Sequence, residues 1–307
     1  MRNIVRLGMG SAFQLATAIG APIIPQANST LNEAVTNTDV VPFQPTIPTA
    51  GMEFADDYNY QTDSRNNKLQ YIAIGSGGHY NINNSTNGRP KMGTKPHKAR
   101  DTGFFDMMPF VCKPLTGDLT NEQRANYRLR KVVEINGVLY AAYFLRYIDL
   151  SAASITQNIV KKDKGVVTST PYKPTINDLV PNDPIISGSN DGTYIQTLIQ
   201  VDISFNSTEA QWLREVAELW YGDAQDAIVS EIAICSGVDK PITSRYPSSG
   251  SQTPQQVASS LKEAQAVQIA IIESVYHAMT FNNGSVTEKI FIGTEDPLYG
   301  TNFTVSN

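Results

Sequence analysis

Apolar residues along this chain alternate in short runs more often than they recur at helical spacing, which points to strands before helices. Tyr71-Ile72-Ala73-Ile74 is one such run, and it ends in Gly75-Ser76-Gly77-Gly78. The densest patterning lies between Asp101 and Ser151. There, Val132 to Ile135 and Val138 to Arg146 flank Asn136-Gly137. Asn-Gly between two apolar runs is a strong hairpin signal, because both turn residues accept positive φ. The second run is apolar at nearly every position, which predicts a strand covered on both faces. Tyr194 to Phe205 and Ile228 to Cys235 read as further strands, the latter ending at Gly237. Val267 to Phe281 mixes helix and strand formers. The Asn282-Asn283-Gly284 turn signal and the run Val286 to Ile292 resolve it as one arm of a hairpin.

Helical signals are fewer. Thr120-Asn121-Glu122-Gln123 spells a capping box that opens a short basic helix carrying Arg124, Arg128, Arg130 and Lys131, a candidate contact face. A second capping box, Thr208 to Gln211, precedes Trp212, Leu213, Val216, Leu219 and Trp220 at helical spacing, with Gly222 as the stop. The expected fold is α+β, mainly antiparallel β and sandwich-like, with one long amphipathic helix and an extended N-terminal arm. Residues 1–69 form the arm and linker, rich in Pro, Thr and Asn from Gly20 to Gly51, and residues 70–307 form the β domain, with a candidate subdivision near 151–192. The start of the chain loosely imitates a secretory signal, but Gly8, Gly10, Ser11 and Gln14 break its apolar core. It reads instead as an arm held by a neighbouring subunit.

Composition narrows the function classes. The chain has 307 residues, enough for one large domain or two ordinary ones, and only 17% are charged, against roughly 25% in an average domain. Such a polar but weakly charged surface suits a protein that buries area against neighbours. A net charge of -5 argues against nucleic acid as the main partner, which needs a continuous basic face. No apolar run is long enough for a membrane-spanning helix. Cys112 and Cys235 sit in apolar contexts and read as small buried hydrophobes.

Catalytic chemistry is not evident. Asp101-Thr102-Gly103 spells the aspartic-protease signature, but that chemistry needs a second copy half a chain away, and Asn190-Asp191-Gly192 has the wrong order. Gly75 to Gly78 is followed by an Asn-rich loop where a phosphate cradle would need a helix, so it reads as a plain turn. Lys91 to Arg100, with Lys95, His97 and Lys98, reads as a solvated loop or interface rim. His79, His97 and His277 have no partner at metal-ligand spacing, and neither a nucleophile elbow nor a Walker loop occurs. No residue is assigned as catalytic, cofactor-binding or metal-binding, no cofactor is expected, and the expectation is a non-enzymatic protein.

Four stretches carry a resemblance: Tyr71 to His79 (YIAIGSGGH), Asp101 to Arg130, Gly137 to Asp149 (GVLYAAYFLRYID) and Ser230 to Gly237 (SEIAICSG). Together they resemble virion structural proteins of tailed bacteriophages, most of all tail and baseplate wedge-type components. The resemblance implies a non-enzymatic subunit of the virion, assembled in the host cytoplasm and present in many copies. Its partners would be copies of itself and other virion proteins. A neck or capsid-associated protein is the structural alternative. A carbohydrate-binding host-recognition module is the alternative from another class, with Tyr58, Tyr60, Tyr80 and Tyr246 as its anchors.

Overall fold

Strands dominate the computed structural model, which describes residues 3–6, 8–19, 30–32, 52–53, 67–82, 91–150, 153–163, 165–173, 193–241, 243–244, 261–279 and 286–297. In chain order, β1 (Asn3–Arg6) and α1 (Gly8–Ile19) precede β2 (Met52–Glu53), β3 (Lys68–Gly75), β4 (His79–Ile82) and β5 (Lys91–Thr94). Next come β6 (Met107–Met108), β7 (Val111–Pro114), the short α2 (Asn121–Arg124), β8 (Arg130–Ile135), β9 (Val138–Tyr143) and β10 (Arg146–Tyr147). The remainder is β11 (Thr156–Asp163), β12 (Val166–Pro171), β13 (Thr193–Phe205), α3 (Ser207–Tyr221), β14 (Ile228–Pro241), β15 (Thr243–Ser244), β16 (Lys262–Ala278) and β17 (Val286–Pro297). The fold is α+β and mainly antiparallel β. Among the described residues no helix is long and apolar enough to cross a membrane.

The chain divides into two compact units, residues 1–149 with 205–286, and residues 150–204 with 287–307. The first is built on an antiparallel sheet ordered β1-β16-β14-β3-β10, with β6 also on β3. Its central strands read as continuous apolar runs because both faces are covered. Tyr71 to Ile74 of β3 and Ile232 to Cys235 of β14 are all fully buried. A second sheet, β7-β9-β8, carries the predicted hairpin. Asn136 and Gly137 both have positive φ, 51° and 78°, as a type I′ turn requires.

Helix α3 covers β7 with Leu213, Val216, Ala217 and Trp220 buried, and Trp220 meets Phe144 edge to face at 6.2 Å. Its stop is Gly222 in the left-handed region, φ 85°. Its start differs from the expected Thr208 box: the cap is Asn206, whose side chain accepts from the Glu209 N–H while Glu209 accepts from the Asn206 N–H. Asn and Glu make the same reciprocal pair two residues earlier, so the helix begins sooner. The Thr120 box is as expected.

Three expectations are corrected by pairing. Residues 3–6 and 8–19 of the expected arm lie against their own chain, and the rest of it, apart from 30–32, 52–53 and 67–69, lies outside the described residues. β1 pairs with β16, Ile4 opposite Glu273 and Arg6 opposite Ile271, and α1 lies on the same strand. Gly10 permits that approach, since a Cβ there would fall 2.2 Å from the Ala270 carbonyl oxygen. β14 does not end at Gly237 but runs on to Pro241, with register shifts between Ile234 and Cys235 and between Ser236 and Val238. Finally, β16 and β17 do not form a hairpin with each other. β17 pairs instead with β13 in the second unit, whose sheet is ordered β12-β11-β13-β17. The second unit thus gathers the 153–173 hairpin and the last described strand.

Candidate functional site

The polar residues with the most concentrated geometry in the first unit meet at the end of β3. Glu231 sits in β14 opposite Gly75, in the middle of an apolar strand, with its side chain fully buried. A carboxylate in that position is costly unless every lone pair is met. The glycine run meets it. The Gly77 N–H donates to Glu231 Oε2 at 3.1 Å, and the Phe105 and Asp106 N–H groups donate to Oε1 and Oε2 at 2.9 and 3.4 Å. The Gly78 N–H goes to Ser230 Oγ at 2.9 Å. Added Cβ atoms at Gly75, Gly77 and Gly78 would lie 2.5–2.7 Å from Glu231 or the Asp106 backbone. The turn that reads as plain is therefore a wrap around an internal anion, which only glycine backbone can approach so closely.

His97 completes the node. Its Nε2 lies 2.8 Å from Glu231 Oε1 and its Nδ1 3.3 Å from Asp101 Oδ2. The ring stacks on Phe105 at 4.5 Å, and Lys95 reaches over the same Phe105 while donating to the Gly77 carbonyl at 2.7 Å. Asp101, the first residue of the protease-like triplet, also accepts from the Lys98 N–H. The 95–106 segment is thus not a solvated loop at His97, which is buried, although Lys98 and Arg100 are exposed. Beside it, Ser76 Oγ and the Tyr221 hydroxyl each lie 2.9 Å from Asp106 Oδ2 and 2.5 Å from each other. Burial and the Asp106 charge push the Tyr221 phenol well above its ordinary range.

This arrangement lacks what a nucleophilic triad needs. Both nitrogens of His97 face carboxylates, so none is open toward Ser76 or a substrate, and a general base must reach the proton it removes. The node locks three backbone segments together.

A second network absorbs the basic stretch after α2. Arg128 Nε donates to Asp239 Oδ1 at 3.0 Å, Tyr71 donates to the same oxygen at 2.7 Å, and Gln70 Nε2 donates to Tyr71 at 2.9 Å. Arg130 pairs with Asp118 at 2.8 Å, and Tyr143 donates to Asp118 at 2.7 Å. Burial alone would lower Arg130, but Asp118 and Tyr143 hold it above its ordinary value. The stretch does not present Arg128 and Arg130 as a contact face; they hold β14 and the β7-β9-β8 sheet. Next to them, burial pushes the Glu263 carboxyl up to about 8 against the partial opposition of the Arg130 N–H and three arginines.

The other singled-out residues are scattered. His79 meets Tyr276 edge to face at 5.6 Å, and His277 lies half-buried in β16 opposite Val229. Among the described residues no group of three His, Cys, Asp or Glu side chains is placed to hold a metal ion. Cys112 and Cys235 are free and buried, and burial pushes the Cys112 thiol up to about 12. Tyr80 is exposed and crowds Gly93; Tyr58, Tyr60 and Tyr246 lie outside the described residues.

The node, the β7-β9-β8 sheet and the main sheet apart from β1 fall within a single family match spanning residues 53–306. The chain belongs to DUF7208, a family of unknown function. No curated protein and no solved structure matches it. What the match does cover is the polar machinery above: Gly75 to Gly78, His97 and Glu231 all lie inside it.

Proposed function

We propose that this DUF7208 chain is a non-enzymatic structural subunit of a tailed-phage virion, acting in tail or baseplate assembly through subunit contacts. The observation that carries the reading is the hairpin β11–β12 of the second unit. All six residues of β12 are exposed, Val166 and Val167 at 63% and 59%, and Ile155 beside β11 is 72% exposed. Among the described residues β12 has one ladder partner, β11, and its outer edge has none, with Pro171 only at its last position. Monomeric proteins usually blunt such an edge with charge, proline or a covering element. An open edge bearing valines suits addition of a strand from a neighbour. Two further points agree with it: Glu231 with His97 and Arg128 with Asp239 are paired inside the first unit, and the stretches Tyr71 to His79 and Ser230 to Gly237 that carry the phage resemblance lie side by side as β3 and β14.

The test is to locate the chain in particles. Virions purified from the source of the sequence are analysed by mass spectrometry and labelled with an antibody to the chain. Stoichiometric presence with label at the tail supports the proposal, and absence from the particle overturns it.

A further inference from the structure

We infer that a cavity between α2, β10 and the start of α3 binds a neutral, polyhydroxylated ring, a single pyranose unit of a glycan. The cavity is about 210 Å³, below the roughly 300 Å³ at which sites for drug-sized ligands begin, a size that suits a single ring. Its lining combines aromatic rings, Trp212, Tyr127 and Tyr147, with the side-chain amides of Gln123 and Asn126. That mixture matches a pyranose, whose C–H faces are apolar and lie against aromatic rings while its hydroxyl edge needs donors and acceptors.

Two observations point to an uncharged ligand. The ionic groups on the wall are already spent on each other: Arg146 pairs with Glu209 at 2.7 Å, both side chains nearly buried, and Arg146 lies 5.4 and 5.2 Å from the rings of Phe110 and Phe205. The second carboxylate oxygen of Glu209 accepts from the Asn206 N–H, and Asn206 caps the helix in return. The amino end of α3 is therefore satisfied, and the site offers no free charge to an anion or a cation.

Tyr127 adds a phenol to this lining. It is only 5% exposed, it lines the cavity, and its ring is held between Phe110 and Tyr143 at 6.1 and 5.6 Å. Its hydroxyl makes no hydrogen bond to the protein among the described residues, and burial with the Glu209 charge pushes the phenol above its ordinary range, so it stands as a neutral donor. The phenol is a neutral donor and acceptor in the lining, which a sugar hydroxyl can meet. The inference does not depend on the assembly reading, since the cavity lies wholly within the first unit.

The experiment is saturation-transfer NMR on the full chain with methyl glycosides of glucose, galactose, mannose and N-acetylglucosamine at about 10 mM, beyond the weak end of protein–ligand affinity, and with sialic acid as the anionic control. Tryptophan fluorescence is followed in parallel; of the two tryptophans, Trp220 is buried, so quenching reports Trp212. Transfer to at least one neutral glycoside is expected, lost in Trp212→Ala and weakened about fivefold or more in Tyr127→Phe, the size of one hydrogen bond. Asn126→Ala, at an exposed side chain, is a further variant that keeps the fold, and melting curves check that all three are folded. No transfer to any glycoside, transfer undiminished in all three folded variants, or binding confined to sialic acid overturns the inference.

Discussion

The β14–β16 sheet of the first unit and the β11–β12 hairpin of the second are both antiparallel, yet they spend their residues in opposite ways. β16 is buried along almost its whole length and β14 carries Glu231 at 0% exposure, whereas β12 is exposed at every position. Where a strand is covered on both faces, a carboxylate such as Glu231 must be wrapped by backbone and histidine. Where a strand is open, valines are left facing solvent. The contrast separates a part that maintains the fold from a part available to neighbours.

The largest expected effect comes from removing the wrapped charge. Glu231→Ala leaves the Gly77, Phe105 and Asp106 N–H groups and His97 without their acceptor, and the loss should be about 3–5 kcal/mol, read from denaturant unfolding. If it destabilises no more than a substitution in β12, the contrast fails. Next is a pH effect in the same sheet. The folded carboxyl of Glu263 titrates near 8 against an ordinary 4.5, so the native state holds a proton that the unfolded chain releases. Its contribution is fully present below about 4.5 and is lost as pH rises through 8. Melting temperature should fall across that window in the wild type, and Glu263→Gln should flatten the slope.

A smaller effect is expected at the hairpin of the β7-β9-β8 sheet. Gly137, with φ 78° and open space around its Cα, should lose roughly 1–2 kcal/mol on replacement by Ala through backbone strain alone. The smallest effect on folding is expected in the open hairpin: Val166→Lys with Val167→Lys should leave stability within about 0.5 kcal/mol yet abolish incorporation into particles. Lost stability there, or incorporation retained, would erase the distinction between the two sheets.

Local chemistry was legible and long-range pairing was not. The Asn136-Gly137 turn, the Thr120 box and the apolar face of α3 follow from residues within a few positions of each other, and the structure has them where the pattern places them. The partner of β17 is β13, some ninety residues back, and no local period encodes it. The His97–Glu231 contact spans 134 positions and depends on the register of β3 against β14. One signal did point to it. A glutamate inside Ser230-Glu231-Ile232-Ala233-Ile234 needs buried partners, and a run of three glycines in four residues is what close backbone approach to a carboxylate uses. The contact-face reading of Arg128 and Arg130 failed because their carboxylate partners lie outside the helix signal, Asp118 just before its Thr120 cap and Asp239 on β14, 111 positions from Arg128.

The order of strands in the main sheet also governs how the chain comes into being. One edge of β3 can be met early by β6 and β10, but the other finds its neighbour only when β14 exists, Gly75 opposite Glu231 and Ile72 opposite Ile234, and β1 waits longer still, for Ile271 to Ser274. At about 5–20 residues per second of synthesis, the apolar run Tyr71 to Ile74 stays without β14 for roughly 10–30 s. Sheets closed by such distant segments are slow to form. During that interval the nascent chain carries an apolar strand open along one edge, and production of the protein should respond strongly to temperature and to chaperone supply, long before any question of assembly arises.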